Sequence, residues 1–187
     1  VTYYTDAGVY EIPMNQYVPV KFTNTIAVEN ASADAGKTTV TITGFPKDYD
    51  AQYTVEGLKN VEVKNGTLTF DKDSAAPGQY TLRVADKNAK YVELSASFEL
   101  TTGKTVVAYD NASDSLVAAE GASADEVTSY IKNIKTVTVN GKAYNASGKG
   151  SVKIVNEDGT LNEEAAPFKD AKAGDEFEIS VKATGYA

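Results

Sequence analysis

Tyr49 and Tyr53, in the run Tyr49-Asp-Ala-Gln-Tyr53, place two phenol oxygens four residues apart. A phenolate can serve as the axial ligand of ferric haem, so this pair is the haem candidate of the chain. The competing and preferred reading is two partly buried tyrosines of a β-sandwich, because the pair follows Phe45-Pro46 in a strand-rich stretch. Oxygen ligands for calcium stand at two turns, Asp71-Lys-Asp73 and Asn156-Glu-Asp158-Gly159. Neither continues as an EF-hand, since the twelfth position counted from Asp71 is Leu82 and not Glu. Both are expected to be solvated turns with exposed acids.

The composition removes most other chemistry. The chain has no His and no Cys, so it lacks imidazole and thiolate ligands for zinc or haem iron. A Ser-His-Asp or Cys-His nucleophile cannot be assembled either. Two carboxylates can hydrolyse a glycoside, but no segment sets two acids around an aromatic platform, and Trp is absent. No catalytic residue, metal site or cofactor is therefore assigned, and the chain is expected not to be an enzyme. The net charge of −8 and pI near 4.6 argue against nucleic acid, whose phosphates require a basic face. No apolar run reaches transmembrane length. The sequons beginning at Asn30, Asn65, Asn111 and Asn145 occur near chance frequency in so Asn-, Ser- and Thr-rich a chain.

The elements that position these residues are mostly strands. Val, Ile, Thr and Tyr dominate the apolar and branched residues, and they suit a pleated surface. Alternating segments run over Tyr17–Thr23, Thr25–Val28, Lys37–Thr43, Gln52–Val55, Val61–Lys64, Thr67–Phe70, Gln79–Val84 and Tyr91–Leu100. Asn65-Gly66 is a strong hairpin signal. Tyr3, Tyr4, Tyr10 and Tyr17 are expected to fill strand positions. The spacing predicts a β-sandwich over residues 1–103. Pro77-Gly-Gln-Tyr-Thr-Leu-Arg-Val84 followed by Ser95-Ala-Ser-Phe-Glu-Leu100 resembles the last two strands of a bacterial immunoglobulin-like module.

Beyond a junction at Thr101–Lys104 the pattern changes to a small β-rich module with one short helix, residues 104–187. Val106–Tyr109 is a candidate strand. Ser123 and Glu126 fit a capping box, and Val127, Tyr130, Ile131 and Ile134 form one apolar stripe. The spacing predicts a helix within 123–133 with Val127, Tyr130 and Ile131 buried. Strands are expected over Thr136–Val139, Ser151–Val155 and Glu176–Lys182, with Phe168 anchoring a loop.

Tyr130-Ile131, Ile134, Val137-Thr-Val-Asn-Gly-Lys-Ala-Tyr144, Asp158-Gly159, Phe168 and Phe177–Tyr186 together resemble the haemoglobin-interacting domain of haem-acquisition receptors of Gram-positive bacteria. The resemblance covers about residues 104–187 and implies a further strand beyond Tyr186. The Tyr-x-x-x-Tyr spacing is similar to that of haem-binding near-iron-transporter modules, where the pair lies late in the domain rather than in its middle. With Val1 in place of Met and no signal peptide, the chain is expected to be a piece of a longer extracellular, cell-surface protein. The leading expectation is a non-catalytic adhesion, spacer or protein-binding segment. Its partner would be a host or neighbouring surface protein, with haemoglobin or a glycan among the candidates. Haem or haemoglobin capture is one alternative, and an accessory module of a carbohydrate-active enzyme is another.

Overall fold

A computed structural model describes residues 2–5, 8–11, 19–146 and 153–187. The fold is mainly β. In order the strands are β1 (Thr2–Thr5), β2 (Gly8–Glu11), β3 (Thr25–Val28), β4 (Ala31–Ser32), β5 (Lys37–Thr43), β6 (Ala51–Val55), β7 (Glu62–Lys64), β8 (Thr67–Thr69), β9 (Gly78–Asp86) and β10 (Leu94–Thr101). They continue as β11 (Val107–Asp110) and β12 (Ser115–Ala118), then helix α1 (Ala124–Lys132), then β13 (Ile134–Val139), β14 (Lys142–Asn145) and β15 (Ile179–Ala183). The chain divides into two compact units. The first comprises Val1–Glu29, Lys37–Asp71 and Tyr80–Phe98, and the second Asn30–Gly36, Lys72–Gln79 and Glu99–Ala187.

β1 and β2 pair antiparallel in a sheet of their own, and β3 to β10 form two sheets in the orders β3-β5-β8-β7 and β4-β10-β9-β6. Period-2 alternation sets their inner faces. Val40 of β5, Leu68 of β8, Leu82 and Val84 of β9 and Phe98 of β10 are buried, while their sequence neighbours on β5 and β10 point outward or are only half-buried. Asn65-Gly66 turns β7 into β8 with positive φ at both residues (51° and 73°), the type I′ geometry that Asn-Gly favours. The expected strand over Tyr17–Thr23 is not formed by its described residues. Residues 12–18 lie outside those described, and Val20 makes a single parallel bridge to Tyr91. Pro19 cannot donate to a ladder.

In the second unit, β11 and β12 form an antiparallel hairpin, and β13 is flanked by β14 and β15. Asn140-Gly141 repeats the two-residue turn between β13 and β14, with φ of 48° and 76°. The capping box is present at Ser123: its hydroxyl accepts from the Glu126 amide, and the Glu126 carboxylate accepts from the Ser123 amide. Tyr130 is buried in a core with Val106, Leu116, Val137, Val139, Ile154, Val155 and Ala165, against which Phe168, Phe177 and Tyr186 pack. Val127 and Ile131 are half-buried rather than buried. A nine-residue helix offers one narrow stripe, and Tyr130 takes its centre while the flanking positions reach the margin. β12 lies within residues 111–121, a stretch rich in Ala, Ser and Asp for which the sequence predicts no strand. For Ser151–Val155, residues 151 and 152 lie outside those described, and Val155 makes one bridge, to Leu161.

The last turn docks on the same unit through backbone. Thr102 donates to the Gly185 carbonyl at 2.8 Å, and Thr102 and Tyr186 form a parallel bridge. A Cβ on Gly185 would lie 2.5 Å from the Gly78 nitrogen and 2.6 Å from the Leu100 oxygen, and its φ is +87°. Gly141, also at positive φ (+76°), has nothing within 4 Å of such a Cβ. Gly141→Ala should therefore cost only its backbone strain, about 1 kcal/mol. Gly185→Ala should cost distinctly more, because backbone has to move. Chemical denaturation of both variants checks this; equal losses would show that the close approach carries no weight.

Candidate functional site

Two exposed features of the second unit lie at α1 and at the β11–β12 hairpin. Lys104 holds the helix start, with its ammonium 2.7 and 2.8 Å from the two Glu126 carboxylate oxygens. Glu126 is accordingly held below the usual carboxylate range by Lys104 and by the Ser123 amide. Inside the unit the Tyr130 and Tyr186 rings meet edge to face, 4.9 Å apart. Burial raises both phenols.

On its other side α1 borders a groove of about 430 Å³. Ile131 comes from the helix, Ile134 and Val137 from β13, and Ile154 and Val155 from the segment that follows, with Lys132, Lys153 and Glu157 also lining it. The hairpin carries two of the large apolar side chains that are exposed among the described residues, Tyr109 (43%) and Val117 (37%). Tyr109 pairs across the ribbon with Leu116, and Val117 with Ala108, so the two point to opposite faces. The Tyr109 hydroxyl donates to Asp114 at 3.0 Å. Beside β12 runs the turn Asn156–Leu161. Leu116 donates to the Gly159 carbonyl and Leu161 to the Asp114 carbonyl.

The two calcium candidates behave as turns. Asp158 is exposed and accepts from the Thr160 amide (3.0 Å) and hydroxyl (2.7 Å), which hold its carboxyl below the usual range. Asp73 is exposed, in a short 3-10 turn over Lys72–Ser74. Among the described residues no three His, Cys, Asp or Glu side chains converge on a point that could hold a metal.

Tyr49 and Tyr53 are both half-buried in the first unit. The Tyr49 ring stacks on Phe45 at 4.3 Å, with Tyr91 at 5.7 Å and Phe22 at 5.6 Å. Its hydroxyl donates to the Val84 carbonyl at 3.0 Å. Burial, followed by the nearby Asp86 charge, raises this phenol, and burial raises Tyr53. Ligation to iron needs a phenolate, so Tyr49 would have to surrender both its proton and its backbone bond.

Asp86, which no motif singled out, organises that end of the first unit. It is 7% exposed. One of its oxygens accepts from the amides of Asp50 and Asn88, each at 3.2 Å, and the other from Lys90 at 3.0 Å and Tyr91 at 3.3 Å. Burial pushes its carboxyl up, but these four donors outweigh it and the net shift is downward. Asp48 beside it pairs with Lys90 and accepts from the Tyr91 hydroxyl.

Residues 101–187, just under half of the chain, match the family model described as "Heme-binding protein Shr-like, Hb-interacting domain". This bears out the resemblance carried by Tyr130-Ile131, the Val137–Tyr144 hairpin and the Phe177–Tyr186 segment that contains β15. No curated protein and no solved structure matches the chain. The matched model describes a binding domain.

Two outcomes follow from the first unit. Tyr49→Phe keeps the ring stack and removes one bond to a carbonyl, so it should cost about 1 kcal/mol in denaturant unfolding; no loss would mean the hydroxyl bond is immaterial. Asp86 has a folded pKa below its unfolded value of about 3.9. Its contribution is thus fully present above that value and lost as pH falls through the folded pKa. Asp86→Asn should lower the melting temperature at pH 7 and flatten the acid limb of a melting-temperature profile. An unchanged acid limb would remove Asp86 from that role.

Proposed function

We propose that this chain is a non-catalytic, protein-binding segment of an extracellular bacterial surface protein. In this reading residues 104–187 form the binding module, and residues 1–103 form an immunoglobulin-like sandwich that spaces and presents it. The observation that carries the proposal is the family match over residues 101–187. The printed description of that family names haemoglobin, which makes haemoglobin the first partner to test.

Support for the sandwich comes from strand order. With β3, β5, β6, β7, β8, β9 and β10 lettered A to G in sequence, the sheets become A-B-E-D and C-F-G, with β4 added to G. That is the arrangement of a seven-stranded immunoglobulin-type domain. β4 joins β10 in parallel through Leu100↔Ala31 and Thr101↔Ser32, as a first strand that switches sheets would. The distribution of chemistry agrees with binding rather than catalysis. The acids described above face solvent or serve turns, and Asp86, the buried one, spends both oxygens on backbone amides.

The test is direct. Purified chain is mixed with haemoglobin and, separately, with ferric haem. The expected result is a complex with haemoglobin on size-exclusion chromatography and no shift of the haem Soret band with haem alone. Failure to form a complex at the highest soluble concentrations would sink the haemoglobin assignment. A Soret shift abolished by Tyr53→Phe, or by Tyr49→Phe, would instead place haem capture on the chain itself.

A further inference from the structure

The groove beside α1 differs in chemistry from the rest of the chain. Ile131, Ile134, Val137, Ile154 and Val155 give it an aliphatic floor and walls. Lys132 and Lys153, both exposed, stand among its lining residues. Glu157 is the one acid among them, and its side chain is 91% exposed and 3.5 Å from Lys153. It offsets the charge of Lys153, which leaves Lys132 as the uncompensated cation of the groove. The adjoining recess shares Lys132 and Ile134 and adds Lys135. Near the end of α1 the Asn133 amide donates to the Ser129 and Tyr130 carbonyls, and its side chain to Ser129 at 2.8 Å. In a chain of net charge −8 the result is a locally cationic mouth over an apolar floor.

We propose that this groove binds an anionic amphiphile, a molecule with one aliphatic tail and a carboxylate head. The tail covers Ile131 and Ile134, which are half-buried, while Val137, Ile154 and Val155 belong to the core and only floor the groove; burial of the remaining apolar surface supplies the attraction. The head lies between Lys132 and Lys153, where charge sets orientation and selects against neutral heads. The volume, about 430 Å³, falls in the usual range of small-molecule sites. The lining offers no imidazole, thiol, thioether or phenol, so recognition rests on shape, apolar contact and charge.

The test uses the full chain and a fluorescent anionic amphiphile, anilinonaphthalene sulfonate. Saturable fluorescence at one site is expected, displaced by dodecanoate. Hexanoate, with a shorter tail, and dodecyl maltoside, with a neutral head, should each displace it about tenfold less well. Ile131→Glu should abolish binding, though it can also loosen α1. The double variant Lys132→Gln with Lys153→Gln therefore decides the matter, because both side chains are exposed and a neutral replacement sets no acid at the end of α1 or opposite Glu157. It should bind dodecanoate at least about tenfold more weakly, by a margin that shrinks in high salt, with an unchanged melting temperature in the absence of ligand. Dodecanoate should raise the melting temperature of the unsubstituted chain and not that of the double variant. Absence of saturable fluorescence, equal affinity in the double variant, or equal displacement by the neutral head would overturn the proposal.

Discussion

The second unit depends on a place where backbone touches backbone. Gly185 approaches Gly78 and Leu100 closer than any side chain would permit. That approach brings the final turn onto the ends of β9 and β10, and the Thr102–Gly185 hydrogen bond fixes it. Tyr186 is then carried beneath α1, against Tyr130. The order of cause runs from a missing Cβ, through one backbone hydrogen bond, to the aromatic contact that holds a nine-residue helix. A helix of that length gains too little from its own hydrogen bonds to persist alone. Its stability comes from Tyr130 and from the two ends of its capping box.

The same unit shows how a small β-rich body assigns tasks to its surface. Its core is filled by Val, Leu, Ile and Tyr side chains of modest size, and the strands around it are short. Acids gather at turns, where Thr, Ser and backbone amides hold them ionised. Asp158 with Thr160 and Asp110 with Ser113 are examples. Such acids stabilise loops and stay ordinary in their chemistry. What remains exposed besides polar turns is apolar surface at the margins of the core. That surface lies in the hairpin residues Tyr109 and Val117 and in the groove that Ile131 and Ile134 only partly fill.

Much of the fold could be read from local residues. Asn65-Gly66 announced a hairpin, and it has the positive φ pair that such a turn requires, as does Asn140-Gly141. The Ser123–Glu126 box and the stripe through Tyr130 placed the helix to within its caps. What stayed hidden was set by distant partners. β12 lies in a stretch of Ala, Ser and Asp with low strand propensity, and it forms because β11 and the Gly159 turn supply its hydrogen bonds. Asp86 looked like any acid before a Lys-Asn-Ala-Lys turn, since its role depends on the Asp50 amide far away in sequence. Tyr49 and Tyr53 had a suggestive spacing, but only the position of the Val84 carbonyl reveals what the Tyr49 hydroxyl does. The groove joins α1, β13 and a segment beyond β14, and no single window of sequence contains it.

The pairing of β4 with β10 has a mechanical meaning. The two strands run parallel at Leu100↔Ala31 and Thr101↔Ser32, reinforced by the Glu99 amide on the Asn30 side chain at 2.8 Å. Tension applied to the chain from both directions drags β4 backward by its leading end and β10 forward by its trailing end. In a parallel pair these forces oppose each other along the strand axis. The hydrogen bonds across it then bear the load side by side and must yield together, whereas an antiparallel hairpin pulled from its open end peels one bond at a time. A short stretch of backbone thereby acts as a shear clasp, and the chain under tension resists extension at Ala31 and Leu100 before its core is tested.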